Sequence, residues 1–177
     1  MLMALTAIIS CNKDVTEIDR TMTFEKLASR DYEYMGMQSP AGFYFYEVQC
    51  VLNGSPAQMD AEDVKVVKAT SIAVTEGDRV FEITTDLATG QQHVEIIVNN
   101  RWGGDFAMDD PKNVKITFAE AVKLLKEQKE FEVPDSEFCT FRQPTVGLIL
   151  HPRYIFGSQS TGFVYVDSDS GEIGQMR

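Results

Sequence analysis

Two stretches of patterned apolar and polar positions, separated by a polar crossing, organise the chain. In the first stretch, Phe24, Leu27 and Ala28 recur at helical spacing and predict a short helix within residues 21–31. Strand-like runs bounded by turn residues follow over 43–52, 64–75, 79–86 and 93–99. The first stretch is therefore predicted to form one helix and then an antiparallel meander of about four strands.

The second stretch repeats this order. Thr117 and Glu120 have the spacing of a capping box, in which each side chain satisfies the other residue's exposed amide, and the helix they open is predicted to run to about Glu130. Its predicted core face consists of Phe118, Ala121, Val122 and Leu125. Strands are predicted over 137–142, 146–150, 154–156 and 163–166. The fold class is therefore α+β, with a helix packed on an antiparallel meander in each of two similar units.

Short matching motifs support an ancient duplication. Thr23 precedes Phe24 at one helix start, and Thr117 precedes Phe118 at the other. Turns Asp-Leu-Ala-Thr-Gly at 86–90 and Asp-Ser-Asp-Ser-Gly at 167–171 close a hairpin in each unit. The Asp, Thr and Ser side chains are expected to cap these turns, and the Gly to supply a positive φ. Chance recurrence of short turns is the alternative.

The N-terminal residues predict where the protein resides. The apolar run 2–9 is too short for a bilayer, which needs roughly 20 residues, and has about the length of a signal-peptide core, ~7–15 residues. Ile-Ile-Ser before Cys11 resembles the lipobox of bacterial lipoproteins, which implies acylation of Cys11. No Lys or Arg precedes Cys11, although signal peptides open with positive charge. The alternative is an N-terminal strand of a cytoplasmic protein.

This interpretation divides the chain into four segments. Residues 1–10 are a signal-peptide remnant and 11–20 a polar tether, while 21–110 and 111–177 form the first and second helix-plus-meander units. The protein is then expected in the cell envelope, as a lipoprotein of the outer membrane or facing the periplasm. Such an oxidising compartment permits a disulfide between Cys50 and Cys139. Two separately buried thiols are the alternative.

Charge narrows the set of partners. With 27 acidic and 16 basic residues, the chain has a net charge of −11. Nucleic acid requires a basic surface, so it is excluded as a partner. Anionic lipid headgroups should repel the protein, so contact with the membrane is expected through the lipid anchor only. An unidentified protein is the expected partner.

The second half resembles a PepSY-like domain. The matching residues are Ile-Thr-Phe-Ala-Glu-Ala at 116–121, Pro134 after the helix, and Phe-Val-Tyr-Val-Asp-Ser-Asp-Ser-Gly-Glu-Ile at 163–173. The resemblance implies a module that binds or inhibits other proteins, peptidases among them. The tandem layout is similar to the β-lactamase-inhibitor protein, and Cys-Asn-Lys-Asp at 11–14 resembles the start of small Bacteroidota lipoproteins. The first half matches less well, since its helix lacks the Glu-Ala pair.

Catalytic patterns are sparse. Only His93 and His151 are present as histidines, no Gly-x-Ser-x-Gly motif occurs, and no Cys/His spacing typical of zinc is found. Cys139 and His151 are predicted to meet only if a hairpin joins them. We therefore do not expect an enzyme or a cofactor; a hydrolase using acidic residues, such as Asp105 or Asp167, is an alternative.

Two further clusters are candidate sites. Asp167 and Asp169 alternate with serines as hard Ca²⁺ ligands do, but the Gly comes one position too early for an EF-hand, so a capped turn is the preferred interpretation and no metal is expected. The loop residues Arg101, Trp102, Asp105 and Phe106 are candidates for recognition, because Trp and Arg are enriched at binding hot spots. Trp102 as a plug between the units is the alternative. The leading hypothesis is a lipid-anchored binding module that engages or inhibits another envelope or secreted protein, and an envelope protein binding sugar, peptide or calcium is another.

Overall fold

The structure is a computed structural model that describes residues 18–98, 107–143 and 151–176. The helices are α1 (Phe24–Gln38) and α2 (Phe118–Glu127), and a 3-10 turn at Pro111–Asn113 precedes α2. The strands are β1 (Phe43–Leu52), β2 (Val66–Thr75), β3 (Arg79–Asp86), β4 (Gln91–Val98), β5 (Phe138–Arg142), β6 (Arg153–Ser158), β7 (Gly162–Asp167) and β8 (Ile173–Met176). The α+β prediction is confirmed. Within these ranges, no helix is long and apolar enough to cross a membrane.

The eight strands of the described residues form one antiparallel sheet in the order β4-β3-β2-β1-β5-β6-β7-β8. Each half of the chain contributes a helix followed by four strands, and the first strands of the two halves, β1 and β5, pair at the centre. The two halves of the chain therefore share a continuous sheet. The duplication itself stays a prediction.

The core lies between the sheet and the two helices. Phe24 at the start of α1 contacts three aromatic rings of the second half, with centroid distances of 5.8 Å to Phe118, 5.3 Å to Phe141 and 5.7 Å to Tyr154. The predicted core face of α2 is confirmed, because Phe118, Ala121, Val122 and Leu125 are all buried. The two halves thus fold around a common aromatic centre.

Helix α1 is longer than the predicted segment that ended at Asp31. Asp31 lies on the buried face one turn after Leu27 and one turn before Met35, so the apolar stripe continues through a carboxylate. The helix ends at Gln38, where Ser39 precedes Pro40 and donates its backbone N–H to the Met35 carbonyl.

Helix α2 ends at Glu127, three residues before the predicted end. The Gln128 side chain accepts hydrogen bonds from the backbone N–H groups of Glu130 and Phe131, and donates to the carbonyls of Leu125 and Phe131. These bonds compete with continuation of the helix. Strand β8 was not predicted, because Ile-Gly-Gln-Met offers too little alternation. The predicted strand 146–150 lies outside the described residues.

Candidate functional site

A groove of about 970 Å³ opens where the two helices begin, beside the loop between β1 and β2. The Thr-Phe pairs that open the two helices come together here: Thr23, Phe24, Thr117 and Phe118 all line it. Its volume is within the range of roughly 300–1,000 Å³ that small-molecule sites occupy. The structure thus places the repeated motif of both halves in a single concave surface.

The floor of the groove is apolar and its rim is charged. Buried side chains from both helices, from the start of β2 and from the connections beside β2 and β3 form the floor, namely Phe24, Phe118, Val66, Val64 and Leu87. Four basic and four acidic residues line it as well: Arg20, Lys65, Lys123, Lys126, Glu25, Glu62, Glu120 and Glu127. A surface of this kind holds apolar groups at its centre and charges of both signs at its edge.

Glu25 connects the starts of the two helices. It lies in the first turn of α1, and its Oε1 accepts the backbone N–H of Phe118, the first residue of α2, at 2.6 Å. Helix N-termini carry partial positive charge, so a carboxylate between two of them is favourable for both. This contact links the N-termini of the two helices directly.

The start of α2 is fully capped. The Thr117 hydroxyl accepts the Glu120 backbone N–H at 3.3 Å, while Glu120 Oε2 accepts the Thr117 backbone N–H at 2.8 Å. The predicted capping box is confirmed. The backbone N–H and the hydroxyl of Thr117 both donate to the Glu120 carboxylate, and these two bonds hold the pKa of Glu120 below its usual value.

Lys126 connects α2 to the loop on the opposite side of the groove. Its Nζ donates to the carbonyl oxygen of Pro56 at 2.7 Å, and also to that of Met59. The ammonium group therefore ties α2 to the loop after β1, which carries Val64 and Lys65 into the groove. Sequence reasoning did not find this groove, because its walls come from segments far apart in the chain.

Cys50 and Cys139 are direct partners across β1 and β5. Both are buried free thiols, and burial raises the pKa of each, so neither is a ready nucleophile. Leu52 donates its N–H to Glu137 two positions along, so Cys50 and Cys139 also form a hydrogen-bonded pair. That type of pair separates the Cβ atoms more widely than a disulfide prefers.

Cys139 does not meet His151. The partner of Cys139 on β6 is Phe156, whereas His151 lies near Asp169, with 3.7 Å between Nε2 and Oδ2. The contact of thiol and imidazole that a hairpin could have allowed is therefore not formed. His93 lies exposed on β4.

The Asp167–Gly171 segment is a capped turn. Asp167 Oδ1 accepts the backbone N–H groups of Asp169 and Ser170, each at 3.0 Å, and Gly171 has φ +74°. Asp169 pairs with Lys115 at 2.7 Å, and that contact lowers the pKa of Asp169. The described residues contain no group of three or more His, Cys, Asp or Glu side chains placed to hold a metal ion.

The matching turn of the first half has the same chemistry. Asp86 Oδ1 accepts the Thr89 backbone N–H at 3.0 Å, and Gly90 has φ +71°. The predicted roles of Asp and Gly in both turns are confirmed. Cys11 and the recognition candidates Arg101, Trp102, Asp105 and Phe106 lie outside the described residues.

Comparisons with known proteins found no match. No family model matches the chain, and neither a curated protein nor a solved structure matches it.

Proposed function

We propose that this protein is a non-enzymatic binding module, held outside the cytoplasm by lipid on Cys11, that engages a segment of another envelope or secreted protein. The groove between the helix starts is the observation that carries this proposal. Its apolar floor suits two or three apolar side chains of a peptide segment. The resemblance of the second half to PepSY-like domains supports the same class of function.

The rim favours a peptide over a charged metabolite. The four basic and four acidic side chains that line the groove balance, so the rim has no excess charge for a small anion or cation. A peptide backbone with charges of both signs suits such a rim better. Lys123 and Glu127, 3.8 Å apart, are both exposed on the outer side of α2 and lie within reach of a bound segment.

Photocrosslinking tests the groove. A photoreactive phenylalanine analogue at Lys123 should form an adduct of discrete mass with one envelope protein of the native host. Ala119→Trp fills the groove from an exposed position and should abolish the adduct. Met37→Trp, which adds the same ring at the 71% exposed far end of α1, is the matched control and should leave it intact. An adduct that survives Ala119→Trp would rule out the groove as the binding site.

Intact mass tests the address independently. Protein purified from the host membrane should begin at Cys11 and carry acyl mass. The same preparation should keep its mass on reduction, since Cys50 and Cys139 are free thiols in the structure. An unacylated chain that starts at Met1 and lies in the cytosol would contradict the lipoprotein proposal while leaving the groove proposal testable.

A further inference from the structure

The outer edge of β4 has no strand beside it among the described residues. β4 pairs with β3 through eight consecutive residue pairs without a bulge, and no described strand lies on its other side. Natural sheets protect such edges with Lys, Pro, bulges or very short strands. Gln-Gln-His-Val-Glu-Ile-Ile-Val contains no Lys or Pro, and Ile96 and Ile97 are 51% and 37% exposed.

The hydrogen-bond pattern determines which β4 residues are available. Leu87 donates its N–H to Val67 of the neighbouring strand, so odd-numbered residues of β3 bond to β2 and even-numbered ones to β4. In the register of β3 with β4, the even residues of β3 face the odd residues of β4. The backbone groups of Gln92, Val94 and Ile96 therefore point outward.

We propose that β4 pairs with β4 of a second copy of this chain, antiparallel, about a two-fold axis through Val94. In this register Val94 faces its own counterpart, and Gln92 faces Ile96 of the other copy, so every outward backbone group in 92–96 finds a partner. The two sheets then join into one continuous sheet, which closes as a dimer because the contact is isologous.

Side-chain charge selects this register over its neighbour. With the axis at Val94, His93 of one copy lies opposite Glu95 of the other, twice over, on the sheet face away from the helices. Shifting the axis to Glu95 satisfies the same backbone parity but places the two Glu95 carboxylates opposite each other, which is unfavourable. Both His93 and Glu95 are exposed in the single chain. The strand is thus complementary to itself in the register centred on Val94.

A cysteine pair tests the register directly. In a Cys11→Ser background, a mixture of His93→Cys and Glu95→Cys chains should crosslink under mild oxidation, because non-hydrogen-bonded cross-strand pairs lie about 4.5 Å apart at Cα. Neither variant alone should crosslink. A crosslink of Glu95→Cys with itself, or none in the mixture, would overturn the proposal.

Association measurements test the edge. Pairing through one strand per copy buries less surface than the roughly 1,200–2,000 Å² of a stable interface. Sedimentation equilibrium should therefore show a weak, concentration-dependent dimer. Ile96→Pro removes the outward-pointing N–H of residue 96 and should weaken association by about tenfold to a hundredfold. Ile96→Val keeps this N–H and should not weaken association. A monomer at every concentration would overturn the proposal, as would open-ended polymers or an unaffected Ile96→Pro dimer. If Ile96→Pro fails to fold, the cysteine mixture still decides.

Discussion

The two helices occupy corresponding places in their halves but differ in what they bury. Helix α2 is ten residues long, begins with a capping box, and buries only apolar side chains. Helix α1 is fifteen residues long and buries a carboxylate, Asp31, beside Leu27 and Met35. The second half therefore follows local sequence rules, whereas the first half depends on a polar cluster that forms only in the folded protein.

The polar cluster beneath α1 joins the helix to strands β2, β3 and β4. Asp31 accepts the Ser71 hydroxyl at 2.6 Å and the Gln92 amide at 3.2 Å, and Gln92 also donates to Thr85. Arg30 donates to Gln92 Oε1 at 3.1 Å. Burial raises the pKa of Asp31 to about 7, although these neighbours oppose the change. Burial thus favours the protonated, uncharged form of this carboxyl group.

Truncating the core beneath each helix should have the largest effect. Leu27→Ala and Leu125→Ala each empty a fully buried position, and each should lower the free energy of unfolding by about 2–5 kcal/mol. Chemical denaturation checks both variants. Similar losses would show that both helices depend on the common core, and a loss confined to one variant would contradict it.

The next effect should be a pH dependence specific to the first half. Because the folded-state pKa of Asp31 lies near 7 and the unfolded value near 3.8, the folded protein holds a proton that the unfolded chain has released between these values. The free energy of unfolding should therefore fall as pH rises from about 4 to about 7, by up to about 4 kcal/mol from this group. Denaturation at a series of pH values measures it.

Asp31→Asn should remove most of that slope and make the protein more stable than the parent above pH ~7, since a neutral amide is cheaper to bury than a carboxylate. Asp60→Asn, at an exposed position, is the control and should keep the slope. An unchanged slope in Asp31→Asn would assign the pH dependence to another group.

The smallest effect should distinguish the two helix starts. Thr117→Ala removes the hydroxyl that accepts the Glu120 backbone N–H and donates to Glu120 Oε2, and should cost about 1–2 kcal/mol. Thr23→Ala loses one long hydrogen bond, 3.4 Å from Lys26 N to the hydroxyl, and should cost about 0.5 kcal/mol. Thermal unfolding of the two variants side by side checks the order, and equal costs would show that capping does not separate the halves.

Local patterns predicted much of this fold. The bounds of β1 and β3, the capping box at Thr117 and the two Asp-to-Gly turns all follow from residues close in sequence. The predicted helix ends at Asp31, because a carboxylate within an apolar stripe can be explained only by knowing its partners in the fold, Ser71 and Gln92. That knowledge requires tertiary structure.

The groove was not predicted from the sequence. The repeated Thr-Phe pairs indicated two equivalent helix starts, yet nothing in them showed that Phe24 and Phe118 meet. Their contact follows from the pairing of β1 with β5, which is a long-range choice. Glu25, which connects the two helix starts, carries no local signal beyond being an acid in a first turn.

The pairing of β1 with β5 also has a consequence for the order of folding. Val51 and Phe138 face each other although about half of the chain separates them. Among the described strand pairs, this central one therefore has the longest sequence separation. Contacts of such long sequence separation slow folding, because loop-closure entropy is lost before they form. Until β5 has been synthesised, β1 is the outer strand of an incomplete sheet and its edge is unpaired. A newly synthesised chain is therefore most vulnerable to aggregation at the strand that later lies at the centre of the sheet.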